Sequence, residues 1–312
     1  MSNRHPLFAL NTLAVAALLA ISIFPAFAVD YDFSPEQKAR PRAERNPAVI
    51  AAIPASFKFV TPNVFTVAVA PSTPPIATYA SDTQTVVGAD PDIAQLIADS
   101  LGLTLKLVPV AWADWPLGIV SGKYDAVISN VGVTEQRKEK FDFSTYRRGL
   151  HGIFVAASSK LEKITEPQDA AGLRVIVGSG TNQERILLEW SKRNVAAGLK
   201  PLELQYYDDE AASLLALRSG RADVIVQPHA QLLFIASRDK DIKQVGVLSA
   251  GWPLTSDVAI TTKKDSGLAP VLTLALRDLF TAGKVQTVLA RWGLEDEALE
   301  RPETNPPGLP KY

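Results

Sequence analysis

The run Tyr124-Asp125-Ala126-Val127-Ile128 reads as a buried strand, and Ser129-Asn130-Val131-Gly132-Val133-Thr134-Glu135-Gln136-Arg137 follows it directly. Polar residues and glycine gather where the strand should end, and Arg137 stands a helical turn further on. In open α/β sheets, ligands collect outside the carboxyl ends of strands. A guanidinium placed there can grip a carboxylate through two parallel hydrogen bonds. The chemistry suggested is recognition of a small acid, with Arg137 as the grip. The flanking Glu135, Gln136, Lys138, Glu139 and Lys140 read as a solvated face.

Other chemistries find less support. Cysteine is absent, which excludes zinc–thiolate sites, cysteine nucleophiles, disulfide staples and an acylated amino-terminal anchor. The histidines are His5, His151 and His229, too scattered for a metal site, and no cofactor is expected. His229, just after Pro228, either hydrogen-bonds a ligand oxygen or packs as an ordinary histidine. Gly178-Ser179-Gly180 lacks the full spacing of a dinucleotide loop. Lys plus Arg number 32 against 33 Asp plus Glu, a net charge of −1, so nothing points to nucleic acid.

The elements that must position these residues come in two similar sets. Residues 65–70 form a β-rich run, Asp90-Pro91-Asp92 opens a helix carrying Ile93, Leu96, Ile97 and Leu101, and Leu103, Leu105 and Leu107 alternate as a strand. A short helix over 116–120 then leads to the strand at 124–128. The second set runs from a strand at 174–178 through a helix over 182–193, a strand at 202–206 and a helix ending near Gly220 to a strand at 222–226. Ser121-Gly122-Lys123-Tyr124-Asp125 is echoed by Ser219-Gly220-Arg221-Ala222-Asp223, with the glycines as left-handed helix caps. Asp125 and Asp223 read as structural. Order and duplication predict an α/β chain of two lobes, each a parallel sheet covered by helices. Strand-like segments at 149–157 and 254–262 are expected to cross between the lobes and form a hinge. Helices over 269–279 and 284–292 then return to the first lobe.

The ends differ in kind. Residues 1–28 read as a secretory signal, with Arg4, an apolar stretch and Ala26-Phe27-Ala28, cleaved after Ala28 to release the protein to the periplasm. Residues 29–62 read as an extended leader lying on the fold or partly disordered, 63–152 as the first part of lobe 1, 153–253 as lobe 2, 254–294 as the lobe 1 return and 295–312 as a proline-rich tail, a strap or a free end.

These residues resemble the periplasmic solute-binding proteins of polar amino acid ABC transporters. The resemblance rests on Val87-Gly88-Ala89-Asp90-Pro91-Asp92-Ile93-Ala94, on Ser121-Gly122-Lys123-Tyr124-Asp125-Ala126, on Thr134-Glu135-Gln136-Arg137 with Phe141-Asp142-Phe143-Ser144, and on Gly172-Leu173-Arg174-Val175 with Gly180-Thr181. It spans about 63 to 294. It implies a type 2 periplasmic-binding fold, a monomer whose lobes close over a small carboxylate, and an inner-membrane ABC permease as partner. It also implies roles. Arg137 would take the carboxylate, Asn130 and Gly132 would present backbone groups to the ligand's charged end, and Trp112 would line the slot. Thr134 would cap its turn and touch ligand, while Thr181 and Asn182 would donate from a helix N-terminus. Two departures stand out. Where relatives that bind α-amino acids carry an acid five residues beyond the aspartate matching Asp223, this chain has Pro228, and the first-strand acid and aromatic are replaced by Ala70 and Thr73. A closed cleft cannot leave an ammonium uncompensated. Either Gln227, Glu184 or a carbonyl answers it, or the ligand lacks a free amine. The alternative functions are a secreted enzyme resembling cyclohexadienyl dehydratases, with Glu184 or His229 as acid–base group, and a stand-alone sensor.

Overall fold

The computed structural model describes residues 30–207 and 209–312, so the expected signal over 1–28 lies outside them. The described part of the leader lies on the fold, one of the two arrangements open to it. Asn46 caps the short helix α1 (Pro47–Ala51) through its side chain, and Arg40 and Arg42 pair with Asp92 and Asp99.

The first sheet grows from β1 (Val64–Val69), whose residues are almost all buried. A small hairpin of β2 (Thr78–Tyr79) and β3 (Val86–Val87) leads into α2 (Ala89–Leu101), with Asp90 and Asp92 in its first turn and a left-handed Gly102 ending it. Then come β4 (Thr104–Pro109), α3 (Trp115–Val120), β5 (Ala126–Val127) and β6 (Phe141–Arg148). The second sheet contains β7 (Leu150–Ala156), β8 (Arg174–Ile176), β9 (Glu203–Gln205), β10 (Val224–Pro228) and β11 (Ile242–Ser249), with α4 (Asn182–Ala196), α5 (Glu210–Arg218) and α6 (His229–Asp239) packed on it. Strand β12 (Asp257–Lys263) rejoins the first sheet, followed by α7 (Leu268–Thr281) and α8 (Lys284–Arg291).

Strand order is β4-β1-β5-β12-β6 in one lobe and β11-β7-β10-β8-β9 in the other. The all-parallel expectation needs correction, because each sheet runs four strands one way and one against them, β12 in the first sheet and β7 in the second. The cause is the double crossing, which feeds one strand into each sheet against the direction of its own βαβ run. Duplication extends to the aspartates. Asp125 accepts the N–H of Thr66 on β1, and Asp223 accepts that of Arg174 on β8, so each pins the start of its lobe's first parallel strand.

The chain leaves the first sheet at Gly149 and returns through 250–256. Gly149 donates its N–H to Ser256 O at 3.1 Å and accepts from Ala250 N at 2.9 Å. A Cβ at Gly149 would sit 2.6 Å from the Ala250 Cβ, so glycine is what lets the two crossings touch.

The proline-rich tail is a strap. Thr145 N donates to Glu303 O, Asn305 N to Phe143 O, Leu309 N to Val133 O and Glu135 N to Leu309 O, which covers the edge of β6 and the segment leading to Arg137. Leu309 is fully buried against the core of the second lobe, and Tyr312 hydrogen-bonds the Trp252 carbonyl in the second crossing.

Asp257 begins β12 beside this strap. Burial first, then Glu303, push its carboxyl up to about 6, with Arg148 opposing. A carboxyl raised in the folded state favours folding at acid pH and loses that contribution as pH rises through about 6. Asp257→Asn should therefore stabilise the fold at pH 7.5, by about 1–2 kcal/mol once solvent screening is allowed for, and change little at pH 4. Thermal melts across this range check it, and a mutant–parent difference independent of pH would acquit Asp257.

Candidate functional site

Arg137 is placed by its backbone before its side chain acts. Thr134, buried, accepts the Arg137 N–H on Oγ1 at 2.9 Å and starts the 3-10 turn over Arg137–Glu139, while the strap pairs with Val133 and Glu135 on either side. The guanidinium then reaches across to the second lobe. Its Nη1 donates to Gly132 O at 2.8 Å and to Asn182 Oδ1 at 3.1 Å, and Nη2 donates to Gly180 O at 3.1 Å. Its carbon lies 5.5 Å from the Trp112 ring and 5.6 Å from that of Trp115. Every one of these partners is neutral. Burial and then the neighbouring Arg185 draw the Arg137 pKa down to about 10, so it remains a cation at neutral pH. A desolvated cation facing dipoles and another cation has the chemistry to accept an anion.

Asn182 is the bridge. It is the first residue of α4, and its Nδ2 donates to Ala250 O in the second crossing at 3.0 Å. A Cβ on Gly132 would stand 2.6 Å from that Nδ2, which explains a glycine there. Thr181 serves as the cap of α4, accepting Glu184 N at 3.2 Å and donating to Gly178 O at 2.7 Å. Glu184 turns back to accept the Gly180 N–H at 2.6 Å, so its carboxylate is committed to the helix end.

Asn130 adopts a left-handed backbone, φ +51°, and gives its N–H to Asp90 at 2.6 Å. Its side-chain oxygen accepts from Arg147 Nη2 at 2.5 Å. Arg147, Glu297, Asp90 and Tyr146 form a buried polar cluster behind it. His229 pairs through Nε2 with Gln244 Oε1 at 2.8 Å within its own lobe. Gln227 is half-buried and lies opposite Gly152 in the sheet. Of the residues singled out from sequence, Arg137, Gly132, Trp112 and Asn182 thus meet directly, Thr134 and Thr181 support them, and Asn130, Gln227 and His229 stand apart from the guanidinium.

Several seam residues escaped the sequence reading. Gln231 donates to Ser72 Oγ at 2.8 Å and Thr73 O at 3.1 Å across the lobes, and the Phe234 ring meets Tyr31 and Phe33 of the leader at 5.4 and 6.3 Å. Arg185, which reaches Gln136, had a usable signal, since it lies three residues after Asn182 on the same helix face.

The family model for bacterial extracellular solute-binding proteins, family 3, matches residues 65–295. The chain belongs to this family. The L-cystine-binding protein TcyJ of Escherichia coli is 27% identical over 220 residues, covering 70% of this chain and 78% of that protein. The solved structure of an ancestral arginine-binding protein bound to arginine superposes with a TM-score of 0.63 at 26% identity, covering 74% of this chain and 98% of that one. Cyclohexadienyl dehydratase of Pseudomonas aeruginosa is 24% identical over 150 residues, 47% of this chain and 53% of that protein. The family 3 protein therefore has the two-lobed, type 2 periplasmic-binding fold of amino-acid-binding proteins that serve ABC transporters. No described helix is long and apolar enough to cross a membrane.

Proposed function

We propose that this family 3 protein binds a small carboxylate-bearing solute, an amino acid or a close acid analogue, between its lobes and delivers it in the periplasm, as a monomer, to an inner-membrane ABC permease. The observation that carries the reading is Arg137, a charged guanidinium in the interlobe seam whose hydrogen-bond partners are two carbonyls and an amide. In this reading the carboxylate replaces Asn182 and Gly180 on Arg137, Trp112 walls the slot, Gly132, Asn130 and the α4 N-terminus with Thr181 and Asn182 supply polar contacts, Thr134 holds the turn, and Gln227 and His229 lie on the far side. The dehydratase reading is weaker because its acid–base candidates are engaged elsewhere, Glu184 on its helix end and His229 on Gln244.

Mass spectrometry of solute released by denaturing the purified protein, followed by calorimetry with that solute, tests the proposal. Recovery of an unchanged carboxylate with micromolar or tighter affinity is the expected result. A solute without an acid group, or turnover of prephenate or arogenate, would overturn it.

A further inference from the structure

His151 is used by none of the roles above. It is 5% exposed, and neither Nδ1 nor Nε2 makes a well-formed hydrogen bond among the described residues, the Leu150 backbone acting on the ring only weakly. Leaving such a group unpaired is costly, so it needs a reason. The register supplies one. His151 lies opposite Pro228 on one side and Leu248 on the other, two residues beyond the crossing at Gly149. Alternation along β7 puts it on the same face as Ile153 and Val155, which pack under Ile186, Leu187 and Trp190 of α4. The first residue of that helix, Asn182, reaches both Ala250 beside this end of the sheet and Arg137. His151 thus flanks the position where Pro228 stands in place of an acid, at the seam end of the second sheet.

Burial, with Arg147 adding to it, holds the imidazole neutral, its pKa drawn down to about 3, and Arg147 is itself paired with Asp90 and Glu297. A neutral imidazole has one donor and one acceptor to offer and no charge to balance an ammonium. Resting on the carboxylate reading of Arg137, we infer that His151 is a specificity residue that hydrogen-bonds a neutral oxygen of the solute, a hydroxyl or oxo group, so that the cleft prefers hydroxy or oxo acids to the matching amino acids.

Calorimetry with three matched trios tests this: lactate, pyruvate and alanine; 2-hydroxyglutarate, 2-oxoglutarate and glutamate; and phenyllactate, phenylpyruvate and phenylalanine. At least one oxo or hydroxy acid should bind ten-fold or more tightly than its amine, and His151→Leu should collapse that ratio. The imidazole nitrogen resonances of the parent should also shift on adding the preferred acid, a readout that needs no variant to fold. Preference for the amine, a ratio unchanged in His151→Leu, unmoved resonances or no binding across the trios would overturn the inference. The carboxylate reading fails separately, on the Arg137→Ala variant.

Discussion

Arg137→Ala should weaken carboxylate binding by about 30-fold to several thousand-fold, the 2–5 kcal/mol lost when a desolvated charge pair is stripped of one partner. Among the described residues Arg137 is the one cation that donates to Asn182 and Gly180, and it lies against the Trp112 and Trp115 rings. Arg137→Lys should fall between parent and alanine variant, since an ammonium keeps the charge but loses the two-pronged geometry. Melting of the ligand-free protein should move by no more than about 2–4 °C, because the bonds removed go to neutral, partly exposed groups worth about 1 kcal/mol together. Calorimetry and thermal melts on the same samples separate the two effects. Equal affinity in Arg137→Ala and parent would take Arg137 out of the site.

Arg147→Met should do the reverse, costing stability first. Arg147 is 1% exposed and holds Glu297, Asp90 at 3.9 Å and Asn130 at 2.5 Å. Burial raises the carboxyls of both Asp90 and Glu297, and Arg147 is the main force holding them down. Without it, two buried acids lose their counter-charge at once, a change worth about 3–5 kcal/mol, or roughly a 10 °C fall in melting point for a chain of this size. The deficit should shrink as pH falls, because acids with raised folded-state pKa values favour folding when protonated and lose that advantage as pH climbs. Adding Asp90→Asn and Glu297→Gln to Arg147→Met should restore most of the loss. A single variant melting within 2 °C of the parent would show that the cluster contributes little.

What could be read in advance follows from physics local to the chain. Leu103, Leu105 and Leu107 alternate, α4 has its Thr181 cap, and the Ser-Gly pairs end their helices in left-handed turns at Gly122 and Gly220, so these elements declared themselves. Helix α6 did not, since Pro228 precedes it without any side-chain cap, and β11 was masked by the bulge between Gln244 and Gly246. The strap was opaque for another reason. Its order comes from backbone bonds to Val133, Glu135 and Phe143, far away in sequence, and prolines conceal such pairing. At the site, Arg137 was legible because strand end and turn lie side by side in the chain. Arg147 has no acidic partner beside it in the chain, and its role depends on the tertiary placement of Glu297.

The grip of Asn182 and Gly180 on Arg137 has a kinetic side. An incoming acid must take over donors the protein already satisfies, and it can do so only while those bonds are broken. Capture should then be gated by that rupture, with the observed association rate levelling off at high solute concentration instead of climbing in proportion to it. Loosening Asn182 would lift the plateau and make encounter, rather than release of an internal competitor, the slow event.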